Sequence, residues 1–154
     1  MHELNRHEAE SLLAAGEVAH VALVSNGEPY ITPVSYVVID GDVCFRTGPG
    51  RRLDAMAYGA RVCIEVTRIV EGSVRWQSVL VWGDAAIVTD ENLAAEVAAL
   101  LLDKYRASMT SPLAFSWASS AGTQAAATVR VKVDTLTGRA STAGFGPELR
   151  PATS

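Results

Sequence analysis

Cysteine occurs only twice, at Cys44 and Cys63, and histidine three times. Each thiol sits inside an apolar, strand-like run, without Cys-x-x-Cys spacing or a histidine nearby. A disulfide framework and a zinc site are therefore excluded, and two buried free thiols are expected. His2, His7 and His20 show no metal-ligand spacing, so no metal is expected. His20, inside an apolar run, is read as a hydrogen-bonded core residue. Basic residues are also few. Thirteen Lys and Arg against 17 Asp and Glu leave a net charge of −4, which argues against a broad nucleic-acid footprint. No apolar run approaches the ~18–20 residues of a membrane span. The polar start Met-His-Glu-Leu-Asn-Arg-His-Glu has no signal-peptide core. The chain reads as cytoplasmic, with no membrane partner.

What remains is an ordinary globular composition, 49% hydrophobic and 19% charged. The low charge hints at apolar surface covered by a partner subunit. A chain of 154 residues suits one domain. Residues 1–143 are read as that domain and 144–154, rich in Gly and Pro, as a tail.

Asn5 and Glu8 have capping-box spacing. Ala9, Leu12 and Leu13 then form a helical stripe that ends at Gly16. Strand patterns follow over 18–24, 29–39, 43–47, 61–69, 75–88 and 127–133. They are punctuated by the turn signals Asn26-Gly27, Asp40-Gly41 and Thr137-Gly138-Arg139. The first three strands read as a meander. Pro33 marks an edge, a bulge or a ligand-facing position, and Gly83 a bend or bulge. Thr89 or Asp90 caps a helix running to about Arg106. Residues 107–124 carry no charge and include Phe115 and Trp117, the pattern of a lid or an interface segment. Mainly antiparallel strands with few helices predict a closed or nearly closed β-barrel of about six strands.

The most informative stretch is Phe45-Arg-Thr-Gly-Pro-Gly-Arg-Arg52. A strand empties into a Gly-Pro-Gly turn, and two arginines open a helix against its macrodipole. Either they are solvated surface residues, or they bind an anion. For the second reading, a phosphate fits guanidinium forks and free amide N–H groups best.

Gly-Glu-Pro-Tyr at 27–30, the strand ending Phe-Arg-Thr-Gly, the Gly-Arg-Arg helix opening and Trp76-Gln-Ser-Val-Leu-Val-Trp-Gly-Asp-Ala85 occur in a telling order. In this order they resemble the pyridoxamine 5′-phosphate oxidase-like split-barrel flavoproteins, nearest the branch containing the 5-nitroimidazole reductases. The resemblance runs from the first helix to Arg139. It implies a homodimer with FMN held in clefts between subunits and a small-molecule substrate. By position, Gly50, Arg51 and Arg52 match the turn and basic pair that hold the FMN phosphate. Arg46 and Thr47 match the strand end beside the phosphate and ribityl chain. Thr32, Pro33, Val34 and Ser35 match the strand along the isoalloxazine edge. Gln77, Ser78 and Val79 match a segment from the second subunit, or are an ordinary core strand.

Two departures narrow the activity. Arg46 stands where the nitroimidazole reductases carry histidine. Arg139 alone represents the C-terminal grip of the vitamin B6 oxidases. The function implied is an FMN-dependent oxidoreductase, with catalytic residues unassigned because no side chain stands out as a general acid or base. Trp76, Trp82 and Trp117 either line a pocket over the ring or pack the core. One alternative keeps the barrel but uses a deazaflavin, with Arg61, Arg68 and Arg75 as a groove for its tail. Another is a non-catalytic flavin or haem binder.

Overall fold

The computed structural model describes residues 1–108 and 126–141. Phe115, Trp117 and the tail lie outside them. One eight-stranded antiparallel sheet dominates, in the order β3-β2-β6-β7-β8-β5-β4, with β1 (His2–Glu3) paired to the end of β8. The chain is mainly β and folds as a split barrel.

Local signals act as expected. α1 (Arg6–Ala15) starts at Asn5, whose side chain accepts from Glu8 N while the Glu8 carboxylate accepts from Asn5 N, a complete capping box. Ala9, Leu12 and Leu13 are its buried stripe. β2 (Ala19–Ser25) and β3 (Glu28–Val34) form a hairpin, and so do β4 (Tyr36–Ile39) and β5 (Asp42–Thr47). Asn26-Gly27 and Asp40-Gly41 turn them with positive φ throughout, the geometry that matches strand twist.

The expected meander is not what forms. The run 29–39 breaks at Ser35, so β3 and β4 lie at opposite edges of the sheet, and this raises the strand count above six. Among the described residues no ladder joins those two edges. The barrel is split, and the chain itself crosses the gap at Ser35.

β6 (Ala60–Ile69), β7 (Trp76–Ile87) and β8 (Ala127–Ala140) form the long central sheet. The ladder slips between Trp82 and Gly83, where a Cβ on Gly83 would run into the Lys132 carbonyl. β8 runs straight through the turn expected at Thr137-Gly138-Arg139. A Cβ on Gly138 would lie 2.9 Å from Ala9 Cβ and 3.0 Å from Leu4 Cβ, so glycine there admits α1 onto the strand.

Inside, Val21, Tyr36, Phe45, Met56, Ile64, Val66, Val79 and Val81 are fully buried, and α1 closes one end. α3 (Glu91–Tyr105), capped by Asp90, covers the outer side of β4 and β5 through Val97, Leu93 and Leu101 against Val37 and Cys44. The outer side of β3-β2-β6-β7 has no such cover among the described residues. His20 faces that way rather than into the core, with its Nδ1 3.3 Å from Glu65 Oε2. Cys63 is half-buried there and Cys44 fully buried, both as free thiols. No described helix is long and apolar enough to cross a membrane.

Candidate functional site

α2 (Arg51–Met56) is a helix of only six residues. Its macrodipole is correspondingly small, so the side chains carry the electrostatic case. Gly50 caps it through its carbonyl, which accepts from Asp54 N at 3.0 Å, and Met56 anchors it in the core.

Both arginines fold back over the barrel end. Arg51 donates from Nε to Ser25 Oγ (3.0 Å) and from Nη2 to the Ser25 carbonyl (3.3 Å), with its guanidinium 4.6 Å from the Tyr30 ring centre. Arg52 spans two strands. Its Nε donates to Thr47 Oγ1 on β5 (3.1 Å), and its Nη1 to Thr32 Oγ1 (2.7 Å) and the Pro33 carbonyl (3.3 Å) on β3. Thr32, Pro33, Thr47, Arg51 and Arg52 are thus brought together. Sequence reasoning missed Ser25, Tyr30 and Phe45. Period-2 alternation along β2, β3 and β5 points all three inward and was the available signal.

Among the described residues, every partner of the two guanidinium groups is neutral. Arg6, Arg61, Arg106 and Arg130 each meet a carboxylate. Arg46, Arg51 and Arg52 meet none among the described residues. Burial pulls the Arg52 pKa below its ordinary value, as expected where charge is desolvated without a counter-ion. Arg46 is half-buried, and its Nε is buried with no hydrogen-bond partner. An unmet buried donor costs about 1–3 kcal/mol, more for a charged group.

The remaining predicted residues are placed differently. Val34 and Val79 are buried in the core, so only their backbone can face a ligand. Ser35 sits at the β3–β4 break. Gln77 accepts from Arg68 Nη2, and Ser78 donates to Glu65 Oε1 at 2.9 Å. Gln77 pairs with Ala140 at one end of β8, whereas Thr47 pairs with Ala127 at the other. Within one chain, β8 separates the 77–79 segment from the arginine pair.

Arg61 is neutralised by Asp84 and Asp134, which weakens it as part of a basic groove. A cleft of about 720 Å³ opens between α1, the Asp40-Gly41 turn and 133–138 of β8. It shares no lining residue with the arginine pair, and its Asp42 and Asp134 already hold Arg130 and Arg61. The arginine end of the barrel is the better candidate.

Comparison with known proteins bears on the fold and the family. The structure superposes on an FAD-binding protein from Mesorhizobium loti with a TM-score of 0.72, at 21% identity, covering 92% of this chain and 98% of that one. An FAD-binding protein from Mycobacterium smegmatis gives 0.61 at 25% identity, covering 90% and 98%. A Bacteroides thetaiotaomicron VPI-5482 structure described as a 5-nitroimidazole antibiotic resistance protein gives 0.70 at 18%, covering 90% and 86%. In sequence, 80 residues are 28% identical to an uncharacterized protein of Rhizobium meliloti (strain 1021); the match spans 52% of this chain and only about half, 52%, of that protein. The family model for pyridoxamine 5′-phosphate oxidase matches residues 5–140, from the cap of α1 to the last residue of β8, and the chain belongs to that family.

Proposed function

We propose that this chain is an FMN-dependent oxidoreductase that works in the cytoplasm as a homodimer and acts on a small molecule. One observation carries the reading. Two adjacent guanidinium groups, anchored by Ser25, Thr32 and Thr47, have no carboxylate to neutralise them among the described residues. A phosphate dianion supplies the missing charge, and the anchoring bonds hold the forks in place for it. The M. smegmatis relative, 25% identical and described as binding FAD, supports a flavin on this scaffold. When bound, the flavin supplies electron and hydride transfer.

The chain's own residues have the complementary tasks. Arg51 and Arg52 bind the phosphate, with Thr47 and Gly50 beside it. The backbone of 32–35 runs along the ring edge, where Pro33 has no N–H to leave unpaired. Gln77 and Ser78 lie too far along β8 to join them within one chain, and a second copy removes that separation. The outer side of β3-β2-β6-β7, uncovered among the described residues, with Val24 at 67% exposure and Ile31 at 61%, is the surface such a copy would cover.

The test is a spectrum followed by a titration. The purified protein is expected to be yellow and to release FMN on denaturation. Arg51→Ala with Arg52→Ala is expected to weaken FMN binding by several kcal/mol, at about 1.5–3 kcal/mol per charge-assisted bond, with the circular dichroism spectrum retained. Unchanged affinity in the double variant would refute the assignment.

A further inference from the structure

The arginine pair does not account for Arg46. β5 alternates, so Phe45 and Thr47 face the side on which Arg52 packs, while Cys44 and Arg46 face the other. On that second side the ladder sets Cys44 against Arg130 and Arg46 against Thr128. Arg130 is matched there: Asp42 Oδ2 takes both its Nε and its Nη2 at 2.7 Å. Arg46, two residues along the same face, has no such acid among the described residues, and its Nε is buried and unpaired.

A hydroxyl flanks it instead. Thr128 is buried beside it on β8. A half-buried guanidinium beside a buried hydroxyl, with a buried Nε left unpaired and no carboxylate on it among the described residues, is a donor set that suits an oxyanion. A single phosphate on Arg51 and Arg52, across the strand, leaves this charge unmet.

We propose that Arg46 receives the acid group of the substrate, so that the chain acts on organic anions, carboxylates or phosphate esters, rather than on neutral molecules. The turnover of such a substrate rests on the flavin reading above. The anion site itself does not.

Isothermal calorimetry on the purified protein tests it, with benzoate and inorganic phosphate as probes and benzamide as the neutral control. The expected result is binding of at least one anion and none of benzamide. Arg46→Met should weaken that anion at least about tenfold with flavin content and melting temperature kept, and Arg46→Lys should restore part of it. A response to phosphate alone points to a phosphate ester, and a response to benzoate points to a carboxylate. The proposal is overturned if neither anion binds, if Arg46→Met binds as tightly as the parent, or if that variant loses its flavin, which would place Arg46 on the cofactor. A protein purified without any flavin sinks the oxidoreductase reading, while the calorimetry still decides the anion site.

Discussion

Cys44 is fully buried between Val37 and Val97, under α3. Burial is the main cause that pushes its thiol up to about 11; Asp42 and Glu96 add to the rise and Arg130 opposes it. A raised value means the folded state holds the proton more tightly than the unfolded chain does. The stability tied to this group is therefore complete below about pH 9 and is lost as pH rises toward about 11. The urea midpoint is expected to stay flat from neutrality to pH 8.5 and then fall, and Cys44→Ala should start lower but fall less steeply. Equal slopes in both proteins would show that another group governs the alkaline limit. That both thiols stay free follows from their spacing alone. Which one faces α3 does not, because it depends on which side of the sheet the helix covers. His20 was misjudged on the same scale. Ala19, Val21 and Leu23 point inward, so alternation sends His20 out to Glu65, a signal that the apolar character of the run obscures. Alternation likewise sets Arg46 on the opposite side of β5 from its sequence neighbour Thr47.

Capping boxes, Asn-Gly and Asp-Gly turns and the Asp90 cap are written within four residues of each other, which is why the elements they bound were legible. The split of 29–39 into β3 and β4, and the length of β8, depend on contacts far away in sequence. Gly138 signals a turn locally, yet it serves the close approach of Ala9 and Leu4. α3 likewise ends in a latch that no local rule foretells. The Tyr105 hydroxyl accepts from Tyr36 N (3.1 Å) and donates to the Glu17 carbonyl (2.5 Å), while Lys104 Nζ donates to the Tyr36 carbonyl (2.9 Å) and lies 4.0 Å from the Tyr36 ring centre. Together they pin α3 to the start of β4, next to the Ser35 break. Tyr105→Phe removes the acceptor of a backbone N–H and is expected to cost about 1–3 kcal/mol in chemical denaturation. Lys104 still satisfies the Tyr36 carbonyl, so the loss should stay within that range. A change of a few tenths would show that water replaces the hydroxyl.

Among the described residues, one outer side of the sheet is covered and the other is not. α3 buries the outer side of β4 and β5, whereas β2 and β3 present Val24 and Ile31 to solvent, near the half-buried Ala22, Cys63, Leu80 and Trp82. The barrel class and its family were legible from the order of short motifs. The asymmetry between its two sides was not, since it appears only once the strand order sets β3 and β4 on opposite edges. A second copy on the open side would cover the apolar residues and end the separation of Gln77 and Ser78 from the arginine pair. Val24→Lys with Ile31→Lys tests both consequences at once. Each side chain is more than half exposed in the single chain, so the folded protomer should lose little stability, within roughly 0.5 kcal/mol per site. Sedimentation of the parent protein is expected to give a dimer and of the variant a monomer. The monomer should also bind FMN more weakly although Arg51 and Arg52 are untouched, because the 77–79 segment would no longer arrive from a partner. A monomeric variant with full flavin affinity would mean that one chain completes the site alone, and the 77–79 segment would then be core strand and nothing more.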